Sequence, residues 1–366
     1  MTQKGLIQAD GQRRRVGLAC NELVRRTYVD AVDLARLELV ADFSYRAFAG
    51  DPEFAGPTPR DARAEAELAD FAADLDVLVV CHGSPFVSAE VLDAARGLSL
   101  LGELEGDRFG YRLDLAAAHA RGLRVVDTSH GSSWPTAEWA LGLALIGLRN
   151  AGALFRRTLA HQPTYLPAAE RSGPGYERAE LRGKRLGMIG FGHVARHLVD
   201  LVRPFGVEIE AYDPYVPREL AAAYDVTFGP LERILEADVV FVLVPRTPGT
   251  ERMLGAAELD RLRQGSVFVN VSRGAVIEPD ALVERLARGD VIACLDVFDP
   301  EPLPLDSPVI EMPNVFLSPH VAGVTEESRR RFFSLMVDEC LRCFEGLEPL
   351  TELTREVVRL RSADPA

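Results

Sequence analysis

The chain is poor in basic residues and almost without lysine. Only Lys4 and Lys184 occur, the other basic residues being arginines, and 41 basic against 55 acidic residues leave a formal net charge of −14. A field of that sign repels phosphate backbones and anionic membrane surfaces, which excludes nucleic acid as the main partner. The preference for arginine is compositional and carries no functional weight, and the short runs Arg13–Arg15 and Arg329–Arg331 read as solvated faces. Long apolar runs are also missing. Trp139–Leu148 falls far short of the ~20 residues that span a bilayer, and the opening MTQKGLIQADGQRRR has no signal-peptide core. A cytosolic protein with no membrane partner is expected. The five cysteines, at 20, 81, 294, 340 and 343, are odd in number and scattered, which suits a reducing compartment better than a disulfide framework. Cys340 and Cys343 make a CxxC inside a helical pattern, with no second pair or nearby histidine to complete a zinc site, so core packing is expected there and no metal.

What is present describes a folded α/β protein. The 366 residues are 47% apolar and 26% charged, a globular composition, and the length suggests about two domains. Short β-rich runs alternate with amphipathic stretches, as in parallel α/β architecture. In the first third, strands are predicted at Val16–Cys20, Leu37–Ala41, Val77–Cys81, Leu98–Leu101 and Leu123–Asp127, with a helix at Ala62–Ala73 after a Pro/Gly-rich loop at Gly50–Pro59. One long helix is predicted from Pro135 to Leu159, with Ser132 or Ser133 as its cap, followed by a breaker-rich linker at His161–Tyr176. Beyond it, six strands are predicted at Leu186–Ile189, Glu208–Tyr212, Val239–Val244, Ser266–Val271, Val291–Leu295 and Val315–Ser318. Helical crossovers at His193–Val202, Leu231–Leu235, Ala257–Arg263 and Pro279–Arg288 would join them into a doubly wound, Rossmann-type sheet, and a last helix is predicted at Glu326–Glu345.

Gly190-Phe191-Gly192-His193-Val194-Ala195 fits G-x-G-x-x-G/A directly after a predicted strand and at the start of a predicted helix. Gly190 permits the tight turn, Gly192 lets backbone approach a pyrophosphate, and Ala195 lets the helix pack close to the strand. The N–H groups of His193 and Val194 would then meet phosphate at the positive end of the helix dipole. Asp213, 21 residues beyond Gly192, ends the second strand of this sheet, where a carboxylate can accept from ribose hydroxyls and would repel a 2′-phosphate. NAD(H) is therefore favoured over NADP(H).

The segments LRGKRLGMIGFGHVARHLVDLVRPFGVEIEAYDPY, VNVSRGAVIEPDAL, ACLDVFDPEPLP and NVFLSPHVAG resemble, in order and spacing, the four hallmark blocks of the NAD-dependent D-isomer-specific 2-hydroxyacid dehydrogenases. They span Leu181–Gly323, and residues 1–110 match in alternation pattern alone. The resemblance implies a Rossmann-type cofactor domain, residues 131–322, inserted into a smaller flavodoxin-like substrate domain built from 1–130 and 323–366. It also implies a 2-oxoacid or 2-hydroxyacid substrate and a homodimer to which the helix from Pro135 contributes.

Carried over by position, it names Arg273, Glu301 and His320 as the catalytic group. The chemistry suits these types: an imidazole exchanges the proton of the substrate oxygen near neutral pH, a carboxylate beside it favours its charged form, and a guanidinium grips a carboxylate through two parallel hydrogen bonds. Asp296 is implied to hold the nicotinamide carboxamide, Pro245 and Thr247 to lie beside the adenine and ribose, and Gly83 and Ser84 to offer backbone N–H groups to the substrate carboxylate. His82 in the same turn could tune substrate choice, but a lone loop histidine reads most simply as solvated. Each residue also has a plainer reading, such as a capping histidine for His320 or a turn carboxylate for Glu301 and Asp296. An NAD(H)-sensing, corepressor-like binding protein would keep the same trio. The turn GDRFGYRLD departs from the family's glycine-rich pattern, and if it faces the substrate, Arg108 and Arg112 would suit a larger or anionic one.

Overall fold

Runs such as Val77–Val80 and Val239–Val242 are apolar at every position and buried at every position, as strands covered on both faces of a parallel sheet must be. The computed structural model describes residues 13–50, 58–163 and 179–362. The opening residues before 13, most of the Gly50–Pro59 loop and most of the His161–Tyr176 linker lie outside the described residues. In chain order the strands are β1 (Arg14–Cys20), β2 (Ala41–Ala47), β3 (Val77–Val80), β4 (Leu100–Glu103), β5 (Arg124–Asp127), β6 (Arg185–Ile189), β7 (Glu208–Tyr212), β8 (Thr227–Phe228), β9 (Val239–Val242), β10 (Val267–Asn270), β11 (Ile292–Leu295) and β12 (Val315–Leu317).

The chain divides into two compact units, one of Met1–Ser132 with Thr325–Ser362, the other of Ser133–Val324. The first carries a five-stranded sheet in the order β2-β1-β3-β4-β5, every neighbouring pair parallel. That is the flavodoxin order. The helix Glu326–Phe344 covers one face of this sheet, placing Phe332, Phe333, Met336, Val337 and Phe344 among Val16, Leu18, Val79 and Leu100. Cys340 is buried in the same cluster and Cys343 packs at its margin, so the CxxC is core.

The second unit carries a seven-stranded parallel sheet, β12-β11-β10-β9-β6-β7-β8. The chain order reverses between β6 and β9, and the loops beyond the strand ends at such a switch point are where open α/β sheets take ligands. The helix Ser133–Leu148 packs on β10 and β11, close enough that a Cβ on Gly147 would meet Val267 at 2.5 Å.

Several elements differ from their sequence-based expectation. Leu37 and Glu38 end a helix, Ala31–Glu38, whose start Asp30 caps through its carboxylate, and the strand begins only at Ala41. The single helix expected over Pro135–Leu159 is two, Ser133–Leu148 and Ala151–Leu159, parted at Asn150, which takes a left-handed φ of +44°. The Ser132 hydroxyl donates to Ser129 O within the preceding turn. The second sheet gains β8, which at two residues is too short to leave a periodic signal.

Candidate active site

The turn after β6 is built for a close ligand. Gly190 holds φ +96° with its Cα against the Leu243 backbone, where a Cβ would meet carbon and oxygen at 3.0 Å. Gly192 is the N-cap of the helix His193–Val202 and supplies no side-chain cap, and a Cβ there would meet nothing within 4 Å. His193 is exposed, Val194 is half-buried, and Ala195 is fully buried against the core beneath the sheet. The Asp213 carboxylate staples the turn from the end of β7, accepting from Phe191 N at 2.9 Å with one oxygen and from Tyr215 N and Val216 N at 2.9 and 3.1 Å with the other. A narrow glycine turn, an uncapped helix start and a carboxylate at the neighbouring strand end together fit a dinucleotide diphosphate and its ribose. Pro245 and Thr247 follow β9 in a tight turn closed by Thr250, whose hydroxyl donates to Pro245 O and receives from Thr247 N.

On the other side of the switch point, three loops converge. Arg273 follows β10 in extended conformation, its Nη1 donating to Ser272 O at 2.7 Å. Asn270, buried at the end of β10, fixes this loop from both sides: its Nδ2 donates to Arg273 O, and its Oδ1 accepts from the Ser272 N–H and hydroxyl. Gly274 then lies flat on the next loop, where a Cβ would fall 1.9 Å from the Phe298 carbonyl. That contact sets the Arg273 loop against the segment leading to Glu301.

His320 Nδ1 lies 2.6 Å from Glu301 Oε1, with both side chains more than one-third exposed. A carboxylate only accepts, so Nδ1 carries the hydrogen and Nε2 is the atom left for proton exchange. His320 sits at φ +52°, uncommon for a residue with a Cβ, and its N–H donates to Asp296 O at 2.8 Å.

Asp296 anchors this loop. Its fully buried carboxylate accepts from the Ser318 hydroxyl at 2.5 Å, the Trp139 indole at 3.2 Å, Val321 N at 3.1 Å and Ala322 N at 3.0 Å. Oδ1 takes three of these bonds and Oδ2 one, so any carboxamide contact would fall to Oδ2.

Gly83 and Ser84 lie in the first unit, after β3. The Ser84 N–H already donates to Cys81 O at 3.0 Å, and its hydroxyl to Pro85 O. Of the two expected N–H donors, Gly83 remains the candidate. The expectation that Arg112 could read an anionic substrate is corrected. Arg112 is 4% exposed and pairs with buried Glu103 at 2.8 Å. Arg108 is engaged with Glu352 O through its guanidinium and with Asp127 through its backbone. His82, expected to be solvated, is buried as well. Asn270 and Ser318 were missed although each stands inside a recognisable motif, and Trp139 had no signal at all, since 157 residues separate it from Asp296.

Two α/β units, one with a dinucleotide turn at its switch point and a histidine–carboxylate pair on the loops beside it, define a nucleotide-dependent α/β protein of the Rossmann class. The family model for the D-isomer specific 2-hydroxyacid dehydrogenase NAD binding domain matches residues 141–322. Glyoxylate reductase from Korarchaeum cryptofilum is 30% identical over 297 residues, covering 79% of this chain and 85% of that protein. D-3-phosphoglycerate dehydrogenase from Methanocaldococcus jannaschii is 32% identical over 300 residues, 80% of this chain and 53% of that protein. The chain thus spans about half the length of the phosphoglycerate dehydrogenases it matches. D-mandelate dehydrogenase from Rhodotorula graminis superposes with a TM-score of 0.76 at 23% identity, covering 93% of this chain and 97% of that one, and shows the shared fold. The chain belongs to the D-isomer specific 2-hydroxyacid dehydrogenase family, and its second unit is an NAD-binding domain. Among the described residues, no helix is long and apolar enough to cross a membrane.

Proposed function

We propose that the chain catalyses the reversible reduction of a 2-oxoacid to the corresponding D-2-hydroxyacid with NAD(H). The observation that carries this reading is the 2.6 Å pairing of His320 with Glu301 in the unit that also holds the dinucleotide turn. In it, Gly190 and Gly192 admit the diphosphate, the N–H groups of His193 and Val194 bind it, Asp213 holds the ribose, Pro245 and Thr247 flank the adenosine end, and Asp296 meets the carboxamide. The bound dinucleotide supplies hydride in one direction and accepts it in the other. Arg273 grips the substrate carboxylate in a planar fork that lysine lacks. Gly83, in the first unit, is a further candidate donor, through its backbone N–H, to a substrate carboxylate. His320 Nε2 delivers a proton to the substrate oxygen during reduction and removes it during oxidation, while Glu301 holds the imidazole and balances its charge.

NADH oxidation across a panel of 2-oxoacids, including glyoxylate, hydroxypyruvate and phenylpyruvate, tests the reading. His320→Gln is expected to lower turnover by about 10²- to 10⁴-fold while NADH still binds. Because reduction needs a proton donor and oxidation a proton acceptor at the same imidazole, the two directions are expected to respond oppositely to pH, reduction slowing and oxidation quickening as pH rises. NADH binding without turnover on any 2-oxoacid would transfer the reading to an NAD(H)-sensing protein. The same proposal includes preference for NADH over NADPH, a cytosolic location, and a homodimer through the helix Ser133–Leu148, where Trp134 remains 36% exposed. Sedimentation as a monomer at micromolar concentration would oppose the dimer.

A further inference from the structure

The Cys81–Pro85 turn is held by more than its backbone. Gly83, at φ +86°, sits so close to Asn21 that a Cβ would meet that side chain at 2.7 Å, and His82 O accepts from Asn21 N at 2.8 Å. The His82 ring is buried beside this turn, with both nitrogens engaged. Arg112 Nη2 lies 2.9 Å from Nδ1, and Glu105 Oε2 lies 3.2 Å from Nε2. A guanidinium can only donate and a carboxylate can only accept. Nδ1 is therefore the acceptor, Nε2 carries the hydrogen, and the ring is neutral in a single tautomer and orientation.

Each partner is fixed in turn. Arg112 Nη1 donates to Glu103 Oε1 at 2.8 Å and to Glu105 O at 2.7 Å. The Tyr28 hydroxyl donates to Glu105 Oε2 at 2.6 Å. Burial pushes the Glu105 carboxyl up, but the bonds from His82 and Tyr28 together with nearby positive charge, that of Arg112 included, hold Glu105 below the usual carboxylate range. Ligand atoms of Cys81, His82 and Glu105 lie within 4.8 Å of one another, a spacing a metal ion would accept. The guanidinium, however, donates into the lone pair of the neutral ring and sets a positive charge beside it, which disfavours a cation. The arrangement is a hydrogen-bonded network at the carboxyl end of the β1–β3–β4 strands, the edge where such sheets meet ligands.

We infer that Arg112 and Glu105 are positioning residues for the substrate: by locking the tautomer and rotation of His82, they hold the Gly83 turn so that its N–H meets the substrate carboxylate in one orientation. This rests on the proposed role of Gly83. Neither residue touches the reacting atoms. Their effect falls on substrate binding, and proton and hydride transfer are left alone. A displacement of about 1 Å in a positioning group costs on the order of a hundredfold, so loss of the lock has a readable size.

The test uses the full chain, the best 2-oxoacid of the panel and NADH. His82→Leu and Glu105→Ala are each expected to raise KM for the 2-oxoacid about tenfold or more, with kcat within about threefold and NADH affinity by fluorescence unchanged. Glu105→Gln keeps an acceptor oxygen and is expected to restore most of the loss. Removing Arg112 altogether would strand buried Glu103, so Arg112→Lys is used in its place. It keeps the charge, loses the second nitrogen for His82, and is expected to fold and raise KM. A purely structural role would instead lower the melting temperature and the active fraction, hence kcat, and leave KM unchanged. Unchanged KM in His82→Leu, Glu105→Ala and Arg112→Lys, with KM raised in Gly83→Ala, overturns the lock but leaves the Gly83 reading standing. Unchanged KM in all four overturns both.

Discussion

At the scale of single residues, Asp296 and Asp213 show one carboxylate doing two jobs. Asp296 accepts from Ser318, Trp139, Val321 and Ala322, and so ties together the loop on which His320 stands. All four partners are donors, so an amide at this position must turn an N–H toward one of them. Asp296→Asn is therefore expected to cost about 1–3 kcal/mol, seen as a lower urea midpoint. It should also lower kcat more than NADH affinity, because the displaced part is the catalytic loop. An unchanged kcat alongside a lowered midpoint would confine Asp296 to stability. Asp213 is similar: its bond to Phe191 N shapes the glycine turn from the neighbouring strand, so its charge cannot be assigned wholly to ribose selection.

At the scale of elements, the close approach of loops carries the site. Gly274 meets backbone, and a side chain cannot be accommodated by rotating a neighbour away when the obstacle is the Phe298 carbonyl at 1.9 Å. Gly274→Ala is expected to force the Arg273 loop off the Glu301 segment and to cost about 1–3 kcal/mol. It should raise KM for the 2-oxoacid while the dinucleotide turn, on other loops, still binds NADH; equal losses in both affinities would contradict this. What could be read from sequence follows the same physics. Strands buried on both faces, such as β9 and β10, announce themselves as apolar runs, and the helix His193–Val202 as a periodic stripe after a glycine turn. β2 alternates exposed Asp42, Ser44 and Arg46 with half-buried Phe43 and Tyr45, and is masked by the more apolar end of the helix before it. The break at Asn150 falls between Gly147 and Gly152, each of which lies inside a helix, so no proline or glycine stands at the break itself. Within the site, contiguous motifs carry the glycine turn and the loops of Arg273, Glu301 and His320. The Trp139–Asp296 and Arg112–His82 bonds join residues distant in the chain, and only the folded sheet brings them together.

At the scale of the whole molecule, the first unit is made of two stretches of chain, and the second stretch is indispensable to its core. The helix Glu326–Phe344 contributes Phe332, Phe333, Met336, Val337 and Phe344, each 5% exposed or less. Polar ties accompany them: the Thr128 hydroxyl donates to Phe332 O, Arg331 donates to Gly131 O, and Leu353 N donates to Val125 O at 2.7 Å. Burying an apolar side chain of this size contributes about 1.5–3 kcal/mol, and five of them match the roughly 5–15 kcal/mol that stabilises an entire domain. Residues 1–132 alone are therefore expected to show no cooperative urea transition by circular dichroism. Joining residue 132 to residue 325 through a short glycine–serine linker restores the missing face, because the turn at Ser129–Ser132 already packs on the returning helix, with Gly131 against Phe332. That joined chain is expected to unfold cooperatively. Residues 133–324, which hold their own seven-stranded sheet and both of its core layers, should fold alone and bind NADH. Cooperative unfolding of residues 1–132 without the returning helix would show that the nested core is dispensable.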